Sequence, residues 1–296
     1  MSDIDLTSSA AEIALPRLER RLFERRAMKN GLLTGLTWVI AILGSIPLFS
    51  VIFMLVAEGG ARLDLEALTA LPPAGFEMGG GFGNAIVGTL VMVAIATVIS
   101  VPVGILAAIY LAVLDPNSHL ASVSRFVAKT LTGFPSILAG VFTYAVLVIT
   151  FGYSALAGGV ALAVLMLPTV VLAAEEAMKQ VSQKMTDAAF GMGCTRSQVI
   201  WKVVLPTGLP GILTGVMLAV AGAAGESAPL LFTALFSSYY ISELIEPTAS
   251  LSILIYNFSA MPFDNQIELA WAASLVLVLI VLVFNILARL VGQPKV

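Results

Sequence analysis

Very few side chains in this sequence could make or break a bond, and their spacing leaves them little to work with. The single histidine, His119, and the single cysteine, Cys194, stand far apart in the chain. A thiol nucleophile needs a base within reach, and Cys194 has no histidine near it in sequence. One cysteine excludes an internal disulfide, and one histidine with one cysteine makes no metal cluster. His119, beside the run Asp-Pro-Asn-Ser, reads as a loop residue. No G-x-x-x-x-G-K-[S/T] run occurs. The glycine-bearing run from Gly191 to Arg196 lacks the lysine and no strand precedes it, so the chain is not expected to hydrolyse ATP by itself. No basic-aromatic groove for nucleic acid stands out.

What remains is a small polar group in apolar surroundings: Gly225, Glu226, Ser227 and Pro229. Glu226 is the one acidic residue in its long apolar stretch. A charge at a bilayer centre costs about 2.5 to 3.5 kcal/mol on insertion scales, so such a group usually faces a cavity or a partner. Ser227 adds a hydroxyl, and Pro229 frees a backbone carbonyl one turn back, near Gly225. Together they read as a translocation or gating element. Glu226 is therefore expected to pair with an Arg or Lys of another subunit or to act in gating; the alternative is a solvated glutamate near the outer interface. Pro135 and Ser136 form a second candidate break, of the kind found where backbone lines a cavity. Pro47 and Pro102 read as simple kinks.

The elements that must position these residues are membrane helices. Of 296 residues, 59% are hydrophobic and 11% charged, and the mean hydropathy is +1.00. A soluble domain of this length could hardly hide so much apolar surface. The long apolar runs fit helices and not the short alternating strands of a membrane barrel. The fold class expected is all-α, a polytopic bundle of about six spans. They run over about 31 to 57, 84 to 113, 126 to 150, 154 to 174, 208 to 235 and 268 to 290. The first 29 residues hold six basic and five acidic side chains with no convincing cleavage signal, so the first apolar run is read as a retained span.

Basic residues give this bundle a direction. Arg17, Arg20, Arg21, Arg25, Arg26, Lys29, Arg125, Lys129, Lys179, Lys184, Arg196, Lys202, Arg289 and Lys295 fall on one side of a six-span arrangement. Only Arg62 falls on the other. That asymmetry puts both termini in the cytoplasm. The outer loop over about 58 to 83 reads as a turn-rich lid or docking surface. Part of the last outer loop, about 236 to 267, is expected to be a short amphipathic or re-entrant element. Small residues such as Gly211, Gly215, Gly222 and Gly225 allow close helix packing in lipid.

The strongest local signal is a polar island between the fourth and fifth spans, about 175 to 207. Met178, Val181, Met185, Ala188 and Ala189 recur at helical spacing, Gly191 and Gly193 permit a sharp turn, and Thr195 or Ser197 can cap a second short helix. Pro206 is expected to stop or bend that helix, with Pro210 opening the next span. The residues alone allow either a plain cytoplasmic hairpin or a rigid lever seated in a partner.

Asp187-Ala188-Ala189, Gly193, Val203 and Leu205-Pro206 resemble the spaced EAA…G…I-LP pattern of permeases from binding-protein-dependent ABC importers, with Asp187 for glutamate and Val203 for isoleucine. The resemblance implies that this loop docks onto an ATPase subunit, with residues about 186 to 200 as the coupling helix. Gly215 to Leu235, Gly133 to Gly140 and Glu268 to Leu290 further resemble phosphate-transport permeases of the PstA type. Those commonly carry an arginine where this sequence has Gly222. A guanidinium offers a forked donor set to a phosphate oxyanion, and glycine does not. The positive charge then comes from a partner permease or from backbone N–H groups at broken helix ends, or the substrate differs.

The resemblance implies a non-catalytic inner-membrane permease of an ATP-driven phosphate importer, binding no cofactor itself, with ATP and Mg²⁺ on partner subunits. The implied partners are a second homologous permease, two ATP-binding subunits, an extracytoplasmic phosphate-binding protein and membrane lipid, with no nucleic acid. The parts expected are a cytoplasmic segment over 1–30, the first span and outer loop over 31–80, the permease core over 81–291 and a tail over 292–296. Two alternatives stay open: a permease for another oxyanion such as sulfate or molybdate, and a non-transporting scaffold or phosphate-status sensor.

Overall fold

A computed structural model describes residues 25–291. Of the basic residues used above to orient the chain, Arg17, Arg20, Arg21 and Lys295 lie outside the described residues, as do most of the expected segment 1–30 and the whole tail 292–296. The chain divides into two units, Met1–Ile52 and Phe53–Val296. The described part of the first belongs to helix α1, Arg25–Met54, which carries Pro47 without ending there.

The second unit opens on a π-helical turn, Leu55–Gly59, and continues through α2 (Leu65–Thr69), α3 (Gly83–Ile109), α4 (His119–Thr132), α5 (Ser136–Thr143), α6 (Ile149–Phe151), α7 (Ala155–Lys179), α8 (Gln183–Gly191), α9 (Arg196–Val199), α10 (Leu205–Gly225), α11 (Ala228–Leu231), α12 (Leu251–Ser259) and α13 (Asp264–Val291). Three further π turns, Tyr110–Leu114, Tyr144–Val148 and Ile200–Val204, extend or join these helices. Every regular element among the described residues is helical. Five runs are long and apolar enough to cross a membrane: Met28–Gly59, Gly83–Leu114, Ala155–Lys179, Arg196–Gly225 and Asp264–Leu287.

The expected third span is not one helix. α4 and the run Ser136–Phe151 meet at 105°, across the break at Gly133–Pro135. Proline disfavours helical backbone at the residue before it, here Phe134, and Pro135 itself is extended in ψ (φ −58°, ψ 124°). The helix also starts earlier than hydropathy indicates, at His119, because Ser118 caps it: its Oγ accepts the Ala121 N–H at 3.1 Å.

The expected fifth span, 208 to 235, is shifted. The helical run begins at Arg196 and ends at Gly225. Pro206 does not stop it. The π turn lets the Leu205 N–H reach back to the Ile200 carbonyl, and Pro206 falls in the first turn of the resumed α-helix, where a missing N–H deprives no carbonyl of its ladder bond. α7 likewise runs on to Lys179. The stretch between these two runs is Gln180–Thr195, narrower than 175 to 207.

Small residues bring the long helices together. A Cβ on Gly104 would lie 2.6 Å from Val170 Cγ1, one on Gly159 2.5 Å from Ile95 Cγ2, and one on Gly211 2.8 Å from Ala177 Cβ. Gly215 meets Ala173 in the same way. α7 is thus gripped between α3 and α10, around a core that includes Met92, Ala96, Leu162, Met166, Val170, Ile212 and Val216. A second core of Phe82, Ala249, Leu251, Leu254 and Leu269 lies under the outer loops.

Candidate functional site: two helix breaks beside a cleft

The first interruption is at Pro135. The second is at the end of α10, where Glu226 leaves helical geometry (φ −74°, ψ 123°) and the short α11 restarts with Pro229 in its first turn. They belong to one structure. α5 lies directly on α11, and a Cβ on Gly140 would come 2.7 Å from Pro229 Cα and 2.9 Å from its carbonyl oxygen. Contact this close is possible only because Gly140 has no side chain. Next to them comes α12, the short helix expected in the last loop, whose Leu251, Ile253 and Leu254 are fully buried.

A cleft of about 360 Å³ opens between the two breaks and α7. Thr132, Phe134 and Ser136 line it from the first break, Met166 and Thr169 from α7, and Gly222 and Glu226 from the second break. Glu226, Ser227 and Ser136 are half-buried, Gly225 and Pro135 exposed, and Pro229 buried. Gly222 and Gly225 have open space where a Cβ would be, unlike Gly211 and Gly215 of the same helix. One helix therefore has two faces: its N-terminal half packs on α7, and its C-terminal end faces the cleft. The antiparallel register set by Gly215 against Ala173 and Gly211 against Ala177 places Glu226 level with about residue 162, roughly 10 Å along α7 from Ala155. Glu226 thus lies beside the N-terminal half of α7 rather than its middle. Its side chain has no ionic partner among the described residues.

The second predicted site is away from this cleft. In α8, Asp187 and Ala188 are exposed and Ala189 is 3% exposed, packed into the main core. The helix ends at a turn in which Gly193 has φ +84°, a conformation that glycine adopts without strain. Thr195 then caps α9 with a full capping box. Its Oγ1 accepts the Gln198 N–H at 3.3 Å, and Gln198 Oε1 accepts the Thr195 N–H at 2.9 Å. Residues 186 to 200 therefore form a helix, a turn and a second helix rather than one continuous helix. Leu205 is half-buried and Pro206 exposed. A polar cleft of about 390 Å³ beside this hairpin is lined by Lys179, Gln183, Asp187 and Arg196 among others. Met185, Phe190, Met192 and Trp201 are exposed around it, so the hairpin presents apolar as well as charged surface.

Two features were not foreseen from the sequence. Arg125, read there only as an orientation marker, is the centre of an ion network. Its Nε donates to Glu175 Oε1 at 2.6 Å, and its two terminal nitrogens donate to the carbonyls of Pro116 (2.8 Å) and Leu111 (2.6 Å). Lys179 Nζ reaches the same Glu175 oxygen at 2.6 Å, and the Glu175 side chain is only 4% exposed. The i, i+4 spacing of Glu175 and Lys179 is the one signal that could have revealed it. The other feature is a set of buried hydroxyls, Thr89, Ser250 and Ser252, which no motif marks.

A bundle of long apolar helices with interrupted segments, a cleft and an exposed polar hairpin fits a membrane permease. The chain belongs to the family of binding-protein-dependent transport system inner membrane components, whose pattern matches residues 100–294. It is 37% identical over 296 residues to the phosphate transport system permease protein PstA of Yersinia pestis, covering 100% of this chain and 99% of that one. The protein of the same name from Pasteurella multocida is 38% identical over 274 residues, 92% of this chain and 98% of its own. In fold, the chain resembles the crystal structure of a bacterial alginate ABC transporter in complex with alginate pentasaccharide-bound periplasmic protein, with a TM-score of 0.63 at 16% identity, over 94% of this chain and 100% of that one.

Proposed function

We propose that this chain is a permease subunit of an ATP-driven importer of inorganic phosphate and performs no covalent chemistry itself. The observation that carries this reading is identity along the full chain with permeases named for phosphate transport. A second, homologous permease completes the path, two ATP-binding subunits sit at the cytoplasmic side and bind ATP and Mg²⁺, and an extracytoplasmic phosphate-binding protein delivers the ion. Both termini are cytoplasmic, in keeping with the basic residues confined to one side.

The α8–turn–α9 hairpin is the coupling element. Asp187, Ala188 and the exposed Met185, Phe190 and Met192 meet the ATPase. Ala189 anchors α8 in the core, and the helical run through Leu205 and Pro206 carries the motion into α10. ATP-driven closure of the ATPases then moves α10 against α7 and opens the cleft outward; hydrolysis resets it. The cleft between Pro135–Ser136 and Gly225–Pro229 is the translocation or gating element of this subunit. Gly222 leaves it without a cation of its own, so the charge that meets phosphate comes from the partner permease, and an Arg or Lys there pairs with Glu226. The Glu226→Gln variant is expected to lower transport or assembly. Full activity and full assembly would leave Glu226 a solvated residue.

The deciding experiment is uptake of labelled phosphate into proteoliposomes holding this chain with its partner subunits, with sulfate and molybdate as competitors. Phosphate uptake that needs ATP and the binding protein, and resists both competitors, is the expected result. Import of a competitor without phosphate would keep the permease and overturn the substrate. Signalling without any import would favour a scaffold.

A further inference from the structure

We propose that Ser252, carried on the short helix α12, is the positioning residue for Glu226 and makes the loop between α11 and α13 a working part of the cleft. The inference rests on the permease reading above.

The hydroxyl of Ser252 donates to the backbone carbonyl of Glu226 at 2.9 Å. That carbonyl needs a partner. A helix leaves its last carbonyls without intrahelical donors, and this one lies at a break inside the protein rather than in water. The bond is part of a directed chain. Ser250 Oγ accepts the Ile253 N–H at 3.1 Å as the cap of α12, and lies 3.0 Å from Ser252 Oγ. With Ser252 committed as donor to Glu226, the Ser250 proton has Ser252 Oγ as its acceptor. The chain then runs from the α12 N-terminus through two hydroxyls to the Glu226 carbonyl, and each member polarises the next. Ser250 is 1% exposed and Ser252 6%, so water does not replace either easily.

α12 is itself firmly mounted. The Leu251 N–H donates to Thr89 Oγ1 at 2.8 Å, and Thr89 donates to the Ala85 carbonyl at 2.8 Å, which ties the start of α12 to α3. The Ala249 carbonyl rests directly on Gly88. The connection leading to α12 is held just as closely. The carbonyls of Glu246 and Leu244 accept the first N–H groups of α7, from Ala155 (3.0 Å) and Leu156 (2.9 Å). Tyr240 donates to the Thr69 carbonyl of the first outer loop at 2.6 Å. A load on the outer loops therefore reaches α12 through hydrogen bonds and close packing, and α12 touches the residue whose side chain lines the cleft.

Pro229 and Ser252 act on the break together. Pro229 has no N–H for the Gly225 carbonyl and so prevents α10 and α11 from merging. Ser252 selects which non-helical geometry Glu226 adopts, and through it the direction of the carboxylate. Without the hydroxyl the Glu226 carbonyl is orphaned, and the break relaxes toward whichever geometry pairs it again.

The test uses the assembled complex in proteoliposomes, with Cys194→Ser and Gly222→Cys as the reporter background. Gly222 has open space for the added thiol. The readout is the rate at which a membrane-impermeant maleimide labels that thiol, with and without the binding protein. Ser252→Ala is expected to change this rate by about tenfold, the equivalent of one lost buried hydrogen bond, to abolish its response to the binding protein, and to leave assembly unchanged. Ser252→Thr, which keeps the hydroxyl, is expected to restore the response. Parent-like labelling and response in Ser252→Ala would overturn the proposal. Should Ser252→Ala fail to assemble, Ser252→Val is compared with Ser252→Thr, whose shape it keeps without the hydroxyl, and identical labelling of the two overturns the proposal equally. Because labelling needs no transported ion, a wrong substrate shows separately, as a complex of the unaltered chain that moves no phosphate while the reporter complex labels as expected.

Discussion

At Glu226 a helix stops inside the protein, while at Pro206 a helix with a second proline, Pro210, four residues further on continues without interruption. The first interruption has partners ready for what it exposes. Ser252 meets the Glu226 carbonyl, and Thr233 Oγ1 donates to the Pro229 carbonyl at 2.9 Å. Among the described residues the second site has no partner from another helix, only Thr214 Oγ1 donating to the Pro210 carbonyl at 2.8 Å. It places the ring in a first turn instead, after a π turn has re-paired the backbone. A proline therefore marks a weak point, and the neighbours decide whether the chain breaks there. The two regions also differ in surface: the cleft lies within the bundle, and the α8–α9 hairpin with the turn after it exposes Phe190, Met192 and Trp201.

The comparison can be broken most forcefully at the ion network that holds α4, the helix leading to the Pro135 break, against α7. Arg125→Ala would leave Glu175 buried with Lys179 alone and strip donors from the Leu111 and Pro116 carbonyls. The expected loss is about 3 kcal/mol, read as a lowered melting temperature of the purified complex. An unchanged melting point would mean that α4 is held by packing alone. Next is Gly140→Val, which drives a branched side chain into the Pro229 backbone. Overpacking of this kind costs about 1–3 kcal/mol, so the yield of assembled complex should drop. Normal assembly would show that α5 and α11 can separate.

On the cytoplasmic side, effects should fall on coupling more than on stability. Gly193→Val forces a β-branched residue to φ +84°, at about 1–2 kcal/mol. Insertion should persist while fewer ions move per ATP hydrolysed, and an unaltered ratio in the reconstituted complex would sink that idea. The smallest change is Thr195→Ala. It removes one cap worth about 1 kcal/mol and should slightly lower coupling, with Thr195→Ser retaining it.

Much of this arrangement was legible in the sequence because it follows from local chemistry. Pro135 had to disturb a helix, Gly193 allowed a turn, and Thr195 stood where a cap was needed. The spans near their stated positions followed from apolar length. Other parts were hidden. The 105° bend made the third span two helices, and the π turn at Ile200–Val204 moved the start of the fifth. Neither shows in hydropathy, which averages over a window and carries no backbone geometry. Arg125 looked like one more inside charge, because the acid that holds it lies 50 residues away.

By itself, the sequence determined that this chain is helical and that its apolar runs are long enough for a membrane. Those properties depend on composition and on order along the chain. Only the tertiary structure decided that Gly140 lies on Pro229, that Gly222 opens on a cleft while Gly215 is packed, and that two serines from an outer loop reach the break at Glu226. Each depends on which helices become neighbours. That choice is made by close packing and by the need of buried polar groups for partners, and both forces join residues remote in sequence.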